Sequence, residues 1–101
     1  MEVIFKFNDA EKRDIKSLIN SHHSHIPKIC KKANVTRRAL TWMFLSKREA
    51  KCRYEVLKVI LEVCLGFEPS SKGVNCEDLS EMMELVGQVI KKDNENFEQE
   101  I

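Results

Sequence analysis

Arg37 and Arg38 stand side by side immediately after Thr36, in the stretch Ile29-Cys30-Lys31-Lys32-Ala33-Asn34-Val35-Thr36-Arg37-Arg38-Ala39-Leu40-Thr41-Trp42-Met43-Phe44. Runs compatible with a helix lie on both sides of Ala33-Asn34-Val35-Thr36, so the two arginines open the second run. The first turn of a helix already carries the positive end of the helix dipole, and two more cations there gain nothing from their own helix. A negative partner outside the chain accounts for them.

Other chemistries find little support. No Ser, Cys or carboxylate is paired with a His at catalytic spacing, and no glycine-rich phosphate loop is present, so an enzyme is not expected. Cys30, Cys52, Cys64 and Cys76 form no CxxC pair and no zinc-like spacing. Cys30, Cys52 and Cys64 fall in expected helices and read as small buried hydrophobes, reduced as in a cytoplasmic chain. The cluster His22-His23-Ser24-His25 lacks a spaced carboxylate or thiol to complete a metal site and reads as a solvated turn. Neither a metal nor a cofactor is expected.

The chain has 101 residues, 43% hydrophobic and 33% charged, a size that suits a single domain with one modest core. Three Gly and two Pro are too few for the turns of an all-β fold, so the expectation is all-α. The longest apolar-rich run, Val56 to Leu65, falls short of the roughly 20 residues that span a bilayer. No secretion signal opens the chain, since Glu2, Lys6, Asp9 and Glu11 interrupt it. A cytoplasmic protein with no membrane partner is expected.

Asn8, Asp9 and Glu11 signal a helix start, and Ile15, Leu18 and Ile19 repeat at helical spacing, giving a first helix over about residues 9–20. Ahead of it Val3, Ile4, Phe5 and Phe7 look strand-like but have no evident partner, so a packed arm is as good a reading. Ser24 or His25 can cap a second helix, with Pro27 tolerated in its first turn. Asn34, which accepts left-handed backbone, ends that helix, Val35 plugs the turn and Thr36 caps the third. The third helix turns Ala39, Leu40 and Met43 inward and Arg37, Arg38, Thr41 and Trp42 outward. A buried helix over Val56 to Leu65, preferred to a strand despite its β-branched residues, stops at Gly66. Residues 67–75 read as a loop. A last helix over residues 76–98 carries Leu79, Met82, Met83, Val86, Val89 and Ile90 along one stripe, ahead of a polar tail.

Two short helices joined by a tight turn, the second one basic at its start, follow the helix-turn-helix plan. The pattern Ile29-Cys30-Lys31-Lys32-Ala33-Asn34-Val35-Thr36 resembles that of the lambda-repressor-like (Cro and cI, or XRE) family of DNA-binding domains. The family reads hydrophobic-Ala-x-x-Ala-Gly-Val-Ser in those places. Leu40 and Met43 match the positions where its recognition helix packs on the core. Ser46-Lys47-Arg48 resembles its small-residue and basic turn, and residues 55–67 its fourth helix. The likeness covers roughly residues 9–67. Ile26 replaces the family's usual Gln, Asn34 its Gly, and Leu45 a common polar phosphate contact.

The resemblance implies a five-helix lambda-repressor-like domain that inserts the helix over residues 36–45 in the major groove of double-stranded DNA as a transcriptional regulator. Arg37 and Arg38 would then meet guanine O6 and N7, Thr41 a base or thymine methyl, and Trp42 a sugar or methyl group. Thr36, Lys31, Lys32, Lys47, Arg48 and Lys51 would contact backbone phosphates, which position the protein without reading sequence. Charge distribution points the same way. Residues 22–58 sum to +8 and residues 59–101 to −7, so a net charge of +1 conceals a basic half that coincides with the helix-turn-helix.

One such motif reads only a few base pairs, so a homodimer on a palindromic site is expected. Met83, Val86 and Ile90 are the expected dimer face, because the last apolar stripe exceeds what a small core needs. The alternative reading is a protein-interaction module, or an antitoxin-like partner, whose acidic last helix binds another protein through adaptable Met82 and Met83.

Overall fold

The computed structural model describes residues 3–44 and 50–99, with the side chains of residues 93–99 excepted. Among the described residues, five α-helices carry most of the chain: α1 (Asp9–Ser21), α2 (Ile26–Ala33), α3 (Arg37–Phe44), α4 (Tyr54–Leu65) and α5 (Leu79–Gln99). Two short strands, β1 (Ile4–Lys6) and β2 (Lys51–Arg53), pair antiparallel with Ile4 opposite Arg53, Phe5 opposite Cys52 and Lys6 opposite Lys51. The fold is therefore mostly helical, with a small sheet that the sequence reading did not foresee.

The sheet corrects two expectations. Val3 to Phe7 does have a partner, and Cys52 lies in a strand rather than a helix. Backbone bonds from Phe7 N to Ala50 O (3.0 Å) and from Tyr54 N to Val3 O (3.1 Å) extend the pairing at both ends. Phe5 and Cys52 turn into the core together, while Ile4, Lys6, Lys51 and Arg53 face outward. Alternation of this kind anchors so short a sheet, because a two-stranded ribbon without a buried face has little stability of its own.

Helix α1 begins where the sequence places it. Asn8 accepts from the Glu11 amide at 2.8 Å and its own amide donates to the Glu11 carboxylate at 2.9 Å, a reciprocal cap. Ile15, Leu18 and Ile19 are fully buried. Helix α4 confirms the helical reading of its β-branched run: Val56, Leu57, Ile60 and Leu61 are buried, a helical rather than an alternating pattern, and Gly66 closes it at φ 84°. Pro69 to Lys72 form a 3-10 turn within the expected loop, with Pro69 buried.

Helix α5 starts later than expected. The amide of Glu77 bonds the Asn75 side chain (3.1 Å), and the Asp78 carboxylate receives the amides of Ser80 (2.9 Å) and Glu81 (3.4 Å). Residues 75–78 thus form a side-chain-stabilised turn, and Asp78 caps a helix that opens at Leu79. The buried part of α5 packs on α1 and α4.

The dimer expectation is corrected at one residue. Val86 is fully buried in the chain's own core with Met82, Leu85 and Val89, so it has no surface to offer a second copy. Met83 and Ile90 are half-buried and also pack against that core. The buried part of the stripe is taken up by contact with α1 and α4. No helix among the described residues is long and apolar enough to cross a membrane.

Candidate nucleic-acid interface

The turn between α2 and α3 positions everything on this face. Asn34 sits at φ 55° and ψ 45°, the one left-handed non-glycine among the described residues. Its amide and that of Val35 (3.1 Å) both donate to the Cys30 carbonyl, which satisfies the open end of α2. Half-buried Val35 packs against the core beneath. Thr36 then caps α3: its Oγ1 accepts from the Ala39 amide at 3.0 Å and its carbonyl from Leu40 at 3.0 Å.

Helix α3 is anchored by Leu40 and Phe44, 3% and 0% exposed, with the Phe44 ring 5.5 Å from that of Phe7. Ala39 and Met43 are half-buried. The opposite face presents Arg37, Arg38, Thr41 and Trp42 to solvent, as the sequence predicts, and Trp42 is 45% exposed. A large aromatic left at the surface of a small domain suits an apolar or flat partner surface.

Individual side chains are not equally available. Arg37 donates from Nη2 to His23 Nε2 at 3.1 Å, which ties the first residue of α3 to the turn ahead of α2. The Thr41 hydroxyl donates to the Arg37 carbonyl at 2.9 Å, so its remaining offer outward is lone pairs and a methyl group. Thr36 uses one lone pair for the cap and keeps its O–H for an acceptor outside the chain. Lys31 and Arg38 are exposed. Lys51 is exposed on β2.

Lys32 departs from the expected phosphate set. Its Nζ lies 3.1 Å from Glu62 Oε1 on α4, so its charge is already matched by the chain. The wet face of α2 wraps far enough round the helix that Lys32 meets α4. Lys47 and Arg48 lie outside the described residues, as does Leu45.

The site also contains His23, which the sequence offers only as part of a solvated turn. His23 belongs to a 3-10 turn, His23–His25, and the tertiary fold brings it beside Arg37. A separation of 14 residues carries no local signal for that contact. Cys30 lies near the same arginine: burial pushes its thiol up, and the Arg37 charge partly opposes that.

The arrangement is a short helix with two exposed arginines in its first turn, held by a left-handed turn at Asn34 and a cap at Thr36. Among the described residues, no group of three or more His, Cys, Asp and Glu side chains is placed to hold a metal ion. Compared with protein-family models, curated proteins and solved structures, the chain matches none.

Proposed function

We propose that the protein is a sequence-specific binder of double-stranded DNA, a transcriptional regulator of the phage-repressor type that inserts α3 in the major groove and acts as a homodimer. The observation that carries this reading is the left-handed turn at Asn34, which holds α3 with Leu40 and Phe44 inward and Arg37, Arg38, Thr41 and Trp42 outward. A helix lying in the groove needs that division, because the core side must fix it while the other side reaches base edges.

Within this reading Arg37 and Arg38 meet guanine acceptors, and Thr41 and Trp42 offer a methyl group and a ring to thymine or sugar. Thr36 and Lys31 hold phosphates, joined by Lys47 and Arg48 beyond the recognition helix. Lys32 is left out, since Glu62 already engages it. The expected overall plan is lambda-repressor-like, with the small sheet added beside α3.

The reading is tested by following backbone amide resonances of the protein while duplex DNA of mixed sequence is added. Shifts concentrated in residues 31–44 are expected. Shifts absent from α3, or concentrated in α5, would instead favour the interaction-module reading.

A further inference from the structure

The outer face of the sheet is a second basic surface with an apolar floor. A groove of about 400 Å³ is lined by Ile4, Lys6, Met43, Lys51, Cys52 and Arg53. Ile4 is 56% exposed, the most exposed of the large hydrophobics among the described residues. Lys6 stands directly opposite Lys51 across the strand pair, a like-charge arrangement that destabilises a sheet unless an anion lies between. No carboxylate is among the described residues lining the groove. A phosphate backbone would answer the cations but has no use for Ile4 and Met43. The chemistry that answers both is a peptide segment carrying carboxylates and large apolar side chains.

The chain itself contains such a segment. Residues 93–101 read Asp-Asn-Glu-Asn-Phe-Glu-Gln-Glu-Ile: four acids, Asp93, Glu95, Glu98 and Glu100, around two large apolar residues, Phe97 and Ile101. Helix α5 runs unbroken to Gln99. Its buried part packs on α1 and α4, and it extends roughly 13 Å past Ile90 at 1.5 Å per residue. A helix that runs on past the residues packed in the core can reach another molecule.

We propose that the acidic segment over residues 93–101 docks in the sheet groove of a second copy, with Phe97 or Ile101 on Ile4 and Met43 and the carboxylates between Lys6 and Lys51. Two copies that exchange segments reciprocally make a closed two-fold dimer, in which each contributes one groove and one segment. The opposite charges of the two halves of the chain supply the attraction, which salt weakens. This contact does not depend on duplex binding.

Charge reversal tests it in the full-length chain by sedimentation equilibrium at ~100 µM. One variant carries Lys6→Glu and Lys51→Glu, the other Glu98→Lys and Glu100→Lys. Each alone should self-associate at least about tenfold more weakly than the parent, and an equimolar mixture should restore the dimer, because each reversed groove then faces a reversed segment. Circular dichroism and melting of each variant confirm that the fold is retained. A monomeric parent at that concentration, parent-like association of either variant, or a mixture that stays monomeric would overturn the proposal. So would loss of duplex affinity in the lysine variant with self-association unchanged, which would assign the groove to nucleic acid.

Discussion

Arg37 Nη2 lies 3.1 Å from His23 Nε2, so the first side chain of α3 is held by a residue of the turn that precedes α2. The contact spans the two helices of the motif and engages Arg37, while Arg38 beside it is likewise exposed. In the DNA-binding reading, Arg38 reads a base directly while Arg37 is oriented by His23 as it does so.

Loss of either arginine should therefore relax sequence preference by about 1–3 kcal/mol, the worth of one paired contact to guanine. The melting temperatures of Arg37→Ala and Arg38→Ala should stay near that of the parent, since both side chains are exposed. His23→Ala should lower preference through Arg37, and His23→Gln, which keeps an acceptor, should recover part of it. Competition binding with a preferred and a scrambled duplex measures all four. Full preference in both arginine variants would remove α3 from the recognition role.

Lys31 and Lys32 are neighbours in sequence but should behave differently. Lys31→Ala should weaken binding to every duplex alike and reduce the slope of log affinity against log salt by about one. Lys32→Ala should leave that slope nearly unchanged, because Glu62 already holds the charge. Salt titrations of the two variants separate these outcomes, and equal slopes would contradict the pairing.

Asn34 makes a prediction about stability alone. Asn34→Gly should be neutral or mildly stabilising at φ 55°. Asn34→Val should cost about 1 kcal/mol or more, because a β-branched side chain is strained in left-handed backbone. Denaturant melts decide between them, and equal stability of the two would contradict the turn.

Cys52 gives the fold a dependence on alkaline pH. Burial pushes its thiol up from 9.0 to about 12, with a hydrogen bond donated by the Leu57 backbone amide partly opposing the rise. The folded thiol stays protonated where the unfolded one ionises, so this contribution is complete below about pH 9 and lost between about 9 and 12. From about pH 8 to about pH 10, the parent should lose on the order of 1 kcal/mol more than Cys52→Ala does. Denaturant melts at the two pH values measure the difference, and parallel losses would show that Cys52 ionises alike in both states.

Much of the helical frame was legible because its signals are local. Asn8 with Glu11 marks the start of α1, Asn34 the end of α2, Thr36 the cap of α3 and Gly66 the end of α4, each through bonds within a few residues. The sheet was not legible. Lys51-Cys52-Arg53 offers a single apolar residue, and its pairing with Ile4 to Lys6 is fixed by a tertiary contact some 45 residues away in sequence. The same reason hides the His23–Arg37 and Lys32–Glu62 contacts. Whether Val86 meets the core or a second copy depends on which face α5 turns to α1 and α4, and periodicity alone cannot report that.

Selection from a pool of random double-stranded DNA, followed by titration of the enriched and a scrambled duplex at fixed salt, tests the central claim most directly. The account predicts a recurring short motif containing guanine, in two inverted copies if the protein binds as a dimer, and tighter binding of the enriched duplex by at least about a hundredfold. A pool that stays random after repeated rounds, with equal affinity for both duplexes, would contradict it.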